Sequence, residues 1–290
     1  MIVKETDVKT YLPTLNLKMA SSRMNEFLAI AEEAIIDRIL GDNLGAALNN
    51  EIQSGATDEH VALRAFTKRA ICQTAFLDAI PELDLQLSEA GFVVQSNQAV
   101  SPASKDRVEK LKEGVAQLKS KALDALTRFL INNSSSDASK YAAWRGTQQF
   151  AFISSGMIFS LDEYKRNFAS VKSFEKVVMT WDGYFKMIPK MRTILHSIVA
   201  EYLSDEFVDE LLEKKRDSEE LTKVEERVLE NVCEAVVAGS IDNETLARQL
   251  VIKARNIMIN NIDSFETFRN SKVYHLESIN IGDGAVANLL

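Results

Sequence analysis

The sequence predicts a predominantly all-α protein: two tandem helical-bundle units with short extended segments and extended terminal arms. Three observations lead there. Glycine and proline number 11 and 4 in 290 residues, about 5% where about 12% is ordinary, too few turn formers for an all-β chain. Apolar residues recur at three-to-four spacing through most of the chain, the period of a helix with one buried face. The length, at about 150 residues per domain, makes room for two domains. With 46% hydrophobic and 26% charged residues, the composition is that of a folded chain rather than a disordered one.

The elements follow in order. MIVKETDVKTYLP opens the chain and reads as an extended arm over residues 2–12, ended by Pro13. Ser21 or Ser22 caps a first helix carrying Met24, Phe27, Ala31, Ile35 and Ile39 on one face, with Gly41 as its stop. Asp42 starts a short helix to about Gln53, and the polar loop SGATDEH follows. A helix from Asp58 to Ile80 buries Val61, Ala65, Cys72, Ala75, Phe76 and Ala79 and ends at Pro81. GFVVQS (Gly91–Ser96) reads as extended, because paired valines after a glycine favour a strand. The clearest helix carries Val108, Leu111, Val115, Leu118, Ala122, Ala125, Leu126 and Phe129. NNSSSDASK (Asn132–Lys140) is the most linker-like stretch and divides the chain into units 1–135 and 136–290. Thr147–Phe159 suits a strand or turn. A long helix is expected from Ser173 to Leu203, interrupted near Pro189, which lacks the N–H an interior position needs. Further helices follow at Asp205–Arg216, Leu221–Gly239 and Asn243–Asn261, and the tail from Lys272 reads as extended.

The halves overlay. LGDNLGAAL (Leu40–Leu48) lies over LSDEFVDEL (Leu203–Leu211). With a two-residue gap, Cys72 falls on Cys233, Ala79 on Ser240 and Ile80 on Ile241. A tandem repeat of helix, short helix, loop, long helix and long helix is a packing module and carries no chemistry of its own.

Catalytic and metal signatures are sparse. Cys72 and Cys233 sit in apolar helical patterns and read as buried reduced thiols. His60, His196 and His275 stand apart and match neither His-Glu-x-x-His nor the Glu-x-x-His of di-iron bundles. There is no Gly-x-Ser-x-Gly elbow and no phosphate-cradling Gly-Lys-Ser/Thr loop. Gly282-Asp-Gly-Ala-Val-Ala287 matches a loosened dinucleotide fingerprint, but three residues after it cannot supply the helix and second strand that motif needs. Glu206, Glu210 and Glu213 share a helix face that three-to-four spacing lets chelate a metal, although Lys214, Lys215 and Arg216 beside them favour a solvated face with local ion pairs. No catalytic residue, cofactor or metal is expected.

The net charge of −8 opposes a broad nucleic-acid surface. Between Lys105 and Lys121 the cations are interleaved with Asp106, Glu109 and Glu113. Lys186, Lys190 and Arg192, with Trp181, Tyr184 and Phe185, form the best local patch and read as core aromatics with flanking cations. The start of the chain shows no signal-peptide pattern. The longest uncharged run, Gly146–Leu161, is too short and polar to span a bilayer. A cytosolic protein that engages neither membrane nor specific nucleic-acid sequence is expected.

VKTYLP followed by RMNEFLAIAEEAIIDRILGDNLGAAL resembles an uncharacterised protein family of Bacteroidetes phages and prophages. So do LSEAGFVVQS with PASKDRVEKLKEGVAQLKSKALDALTRFL, and SFEKVVMTWDGYFKMIPKMRTILHSIVAEYL in the second half. The resemblance spans about residues 5–270. In helix order the unit also resembles the head–tail connector (head-completion adaptor) proteins of tailed phages, which usually carry one unit of about 100 residues where this chain has two. It implies a structural virion part without catalytic activity, made in the bacterial cytosol. Its partners are then the portal or other virion proteins, with a homo-oligomeric ring as a further implication. The alternatives are a helical interaction module of the bacterial cytosol and, further off, a metal-dependent enzyme working through carboxylates near Glu206. The expected contact residues are the arms and the helix ends at Leu40, Gly41, Asp42, Leu203 and Asp205.

Overall fold

A computed structural model of the chain describes residues 1–12, 21–55, 59–83, 86–88, 91–93, 105–172 and 179–275. The described residues are predominantly α-helical and form two compact units. The first comprises Met1–Ser134, Lys140–Phe150 and Thr180–Asp182; the second comprises Ser135–Ser139, Ala151–Met179 and Gly183–Leu290. The division is therefore interleaved rather than a single cut between 135 and 136. Two tryptophans account for the returning segments. Trp144 is buried and its Nε1 donates to the Ile39 carbonyl at 2.7 Å. Trp181 is also buried, and its backbone N–H donates to Ser120 Oγ at 3.2 Å.

In the first unit α1 (Glu5–Tyr11), α2 (Ser21–Ile35) and α5 (Lys105–Asn133) pack on α4 (Val61–Leu83), with α3 (Asp42–Ser54) between α2 and α4 in the chain. Within the expected extended N-terminal arm, residues 5–11 are instead helical, and one side of the segment is buried. Val8 and Leu12, one helical turn apart, enter the core with Ile2 and Val3. The Ile2 N–H donates to Glu32 at 2.7 Å, the Lys4 N–H to Asp7 at 2.8 Å, and Asp7 in turn pairs with Lys68 on α4 at 2.9 Å. Pro81 lies inside α4, which runs two residues past it. Between α4 and α5 a two-stranded antiparallel ladder pairs β1 (Gln86–Ser88) with β2 (Gly91–Val93), Leu87 opposite Phe92. The first three residues of the expected extended segment Gly91–Ser96 form that strand, and the rest lie outside the described residues.

The stretch expected as strand or turn after Thr147 is helical: α6 (Gln148–Ile153) and a 3₁₀ turn at Ser154–Gly156. In the second unit α7 (Leu161–Val171) is a helix that the periodicity did not reveal. Ser160 caps it by accepting from the Glu163 N–H at 3.1 Å, and Glu163 reaches back to the Phe159 N–H at 2.8 Å. Residues 173–178, where the long helix was expected to begin, lie outside the described residues; α8 (Trp181–Ile194) starts at Trp181. It passes through Pro189 without a break, and Thr193 Oγ1 donates to the Pro189 carbonyl at 3.0 Å. The irregularity comes later, as a π turn at Leu195–Val199 leading into α9 (Ala200–Leu203). Then come α10 (Asp205–Asp217), α11 (Lys223–Ser240), α12 (Glu244–Ile259) and the short α13 (Glu266–Arg269). Thr222 and Glu225 form a reciprocal capping box at the start of α11. Helices α7 and α12 pack on α11, which is buried continuously from Ala235 to Ser240. Close approach there requires Gly239: a Cβ at that position lies 2.9 Å from the Ile194 side chain. Residues 272–275 are helical where an extended tail was expected, and the remaining tail lies outside the described residues.

Candidate functional site

The sequence points to the two helix ends at Leu40–Asp42 and Leu203–Asp205, and the structure gives them one geometry. Gly41 has φ 76° and ψ 162°, and Ser204 has φ 70° and ψ 152°. Each is the N-cap of a 13-residue helix, α3 and α10 respectively. Each carbonyl accepts the first bond of that helix, Gly45 N–H to Gly41 at 3.0 Å and Val208 N–H to Ser204 at 3.1 Å. Each helix leading in carries a π turn, Ile36–Leu40 directly before Gly41 and Leu195–Val199 five residues before Ser204. The surrounding order also recurs. A short helix packs on the central one (α1 on α4, α7 on α11), and the central helix pairs with its successor (α4 with α5, α11 with α12).

At the corners themselves Leu40 and Leu203 are fully buried, and Gly41 is buried. They anchor the bend and present nothing to a partner. A Cβ at position 41 lies 3.0 Å from Gln149 Oε1, and the backbone conformation there suits glycine alone. Ser204 takes that conformation despite its side chain and recovers one bond, its Oγ accepting from Phe207 N–H at 3.3 Å. Asp42 and Asp205 are exposed. Asp205 lies 3.2 Å from His196 Nδ1 across the second corner.

The carboxylates around Glu206 do not assemble into a ligand set. Glu210 is taken by Lys214 at 2.6 Å, and the same ammonium reaches Glu225 at 2.9 Å. Burial raises the Glu225 carboxyl, and the bonds from Lys214 and Thr222 outweigh it and leave its pKa below the ordinary value. The donors that do converge among the described residues are Glu51, Glu59 and His60, all within 4.8 Å of one another. Sequence reasoning missed them because Glu51 lies on α3 and reaches the other two only across the loop. Of the two carboxylates, Glu51 is the one already engaged by side chains. Glu51 bonds His60 Nδ1 and lies 3.4 Å from Arg64, while Lys140 bonds the Glu59 carbonyl. With His60 against the Tyr141 ring at 5.7 Å, this is a clamp between the α3–α4 turn and the returning segment.

A second polar cluster lies in the second unit. Lys215 Nζ bonds Glu163, donates to the Met157 carbonyl at 2.5 Å, lies 3.6 Å from Cys233 Sγ and stands 4.8 Å above the Phe159 ring. Burial acts to discharge this ammonium, and the Cys233 sulfur and Glu163 carboxylate outweigh it, so its pKa stands above the ordinary lysine value. Burial pushes the Cys233 thiol up to about 11 against the pull of Lys215, and Cys72 up to about 12. Neither sulfur is a nucleophile near neutral pH. The signal for Glu163 was available: Ser160-x-x-Glu163 is a capping-box pattern.

The aromatic patch resolves into core. Trp181 and Tyr184 are fully buried, Tyr184 donating to the Ile158 carbonyl at 2.9 Å, and Lys190 pairs with Asp242 at 2.7 Å. Asp182 is held by Arg38 at 2.8 Å and Lys119 at 2.9 Å. Burial raises its carboxyl, but Lys119 first and Arg38 second bring it below the ordinary range. No helix among the described residues is long and apolar enough to cross a membrane.

Residues 28–152 are similar to a protein family of unknown function, DUF6712. The match is less than half of the chain; it includes the first corner and ends before the second. No curated protein and no solved structure matches.

Proposed function

We propose that this chain is a structural phage or prophage protein of the head–tail connector type, made in the cytosol of a bacterial host and acting by protein–protein assembly rather than by catalysis. The observation that carries the reading is the recurrence of one helical unit in both halves, each with a glycine-type corner feeding a 13-residue helix. A repeated packing module puts two related surfaces on one chain, which suits attachment to a ring of identical subunits. The phage-family resemblance of the sequence supports the same reading, and the clamps around Glu51 and Lys215 suit a rigid part better than a reactive one. Asp42 and Asp205, exposed beside the corners, are the contact residues this reading favours.

The test is light scattering across a concentration series, with the chain alone and with the portal-type ring protein encoded beside it. A closed ring, or a complex with that protein, is expected. A strict monomer that ignores the portal protein overturns the reading and leaves a helical interaction module of the cytosol in its place.

A further inference from the structure

The charges of the chain are unevenly placed. Between Glu201 and Glu234 there are thirteen acidic and five basic side chains, a balance of −8, equal to that of the whole chain. Two cations of α10 are paired, Lys214 with Glu210 and Glu225 and Lys215 with Glu163, while Arg216 donates to Ser154 Oγ at 3.0 Å and offsets part of the charge of Glu213, Asp209 and Asp217. The outer face of α10 is left with Glu206, Asp209, Glu213 and Asp217, all exposed. At about 100° per residue these four fall within roughly 80° of arc and extend about 16 Å along the helix. Among the described residues Glu206, Asp209 and Glu213 make no ion pair.

The first half of α5 is the counterpart. Its charges alternate in the sequence, but the helix sorts them. Arg107, Lys110, Leu111, Gly114, Leu118 and Lys121 fall within about 100° of arc over about 21 Å, while Asp106, Glu109 and Glu113 turn to the neighbouring flank. All six residues of the stripe are exposed, Leu111 by 47% and Leu118 by 44%. A side chain at Gly114 would meet nothing within 4 Å. Arg107, Lys110 and Lys121 make no ion pair among the described residues. Two leucines framed by three unspent cations form a helix face suited to an acidic protein surface.

We propose that the α5 stripe of one copy docks on the acidic outer face of α10 of a second copy. The inference rests on the assembly reading above and supplies its self-contact. Opposite charge matches the two faces, and their lengths are comparable. Like charge prevents either face from pairing with itself. Because the two faces differ, the contact is head-to-tail, and repetition closes a ring or extends a filament. The two leucines are covered by the methylene stems of the glutamates and the α10 surface, and the ion pairs set the register.

Sedimentation velocity and light scattering on the full chain at 50 mM salt test this, alongside Lys110→Glu/Lys121→Glu and Asp209→Lys/Glu213→Lys variants. All four positions are exposed, and circular dichroism checks that the variants stay folded. The wild type should self-associate, with a dissociation constant raised at least about tenfold by 0.5 M salt and by either pair of reversals. Each variant alone should be monomeric, and mixing the two should restore assembly, because each then offers the other an oppositely charged face. A monomeric wild type, assembly indifferent to both reversals, or mixed variants that stay apart would each overturn the proposal. A chain that is monomeric alone yet binds the portal ring removes this inference and leaves the connector reading standing. One that extends through these faces into an open filament, closes no ring and never engages a portal ring supports the inference and removes the connector reading.

Discussion

Replacing Ser204 by glycine should stabilise the second unit. At φ 70° and ψ 152° the residue occupies a region essentially reserved for glycine, where a side chain costs of order 1–3 kcal/mol. Against that gain stand two losses. The Ser204 hydroxyl accepts the Phe207 N–H at 3.3 Å, but exchanging a serine N-cap for glycine costs only a few tenths of a kcal/mol. Glycine also adds freedom to the unfolded chain, about 0.5–1 kcal/mol. The net is a stabilisation of up to about 2 kcal/mol and centred near about 1 kcal/mol, which is roughly 2–4 °C in Tm for a unit of this size. Urea denaturation followed by far-ultraviolet circular dichroism measures it. The reciprocal Gly41→Ser should cost at least about 2 kcal/mol, because strain is joined by the contact with Gln149 Oε1 at 3.0 Å. Both tryptophans, Trp144 and Trp181, belong to the first unit, so their fluorescence follows Gly41→Ser directly. A lowered midpoint for Ser204→Gly would refute the argument that strain is stored at this corner and that the two corners are one structural device.

Other consequences are measurable with simpler means. Gly239→Ala forces a Cβ to 2.9 Å from Ile194; overpacking of about 1–3 kcal/mol outweighs the gain of up to about 1 kcal/mol in helix propensity, so the denaturation midpoint should fall. Cys72 and Cys233, buried with pKa values near 12 and 11, should resist a thiol reagent in the native protein at pH 8 and both react in urea; rapid native labelling contradicts the burial. Asp182 has a folded-state pKa below its unfolded value, so its stabilisation is complete above about pH 4 and is lost as pH falls through the folded value. Wild-type stability should therefore drop in acid more steeply than that of Asp182→Asn, and parallel curves would show that the Arg38 and Lys119 pairs contribute nothing.

Much of the helical architecture was legible because helix periodicity is a local signal. The stripe from Val108 to Phe129 became α5, and the starts of α3, α11 and α12 fell within two residues of their expected places. Failures occurred where local rules were overridden. Pro189 predicts an interruption of the helix, yet α8 runs through it, and the irregularity comes instead at a π turn that no residue announces. The N-terminal residues looked like an arm because seven helical residues are too short to form alone, and only burial of Val8 and Leu12 makes them helical. The capping pattern at Ser160 marks the start of α7, but the polar and aromatic residues around it blur the helical period.

The sequence by itself determined the helical class, the positions of most helices, the overlay of the two halves and the thiols' place in apolar faces, all properties of neighbours within a few turns. Tertiary structure decided the rest. It drew Trp144 and Trp181 back into the first unit, buried Leu40 and Leu203 beneath the corners, and gave Ser204 a glycine conformation. It also brought Glu51 to His60 and Glu163 to Lys215. Partners 9 and 52 positions apart along the chain leave no periodic trace in it. Their meeting depends on how helices pack, and packing is settled by the whole core at once.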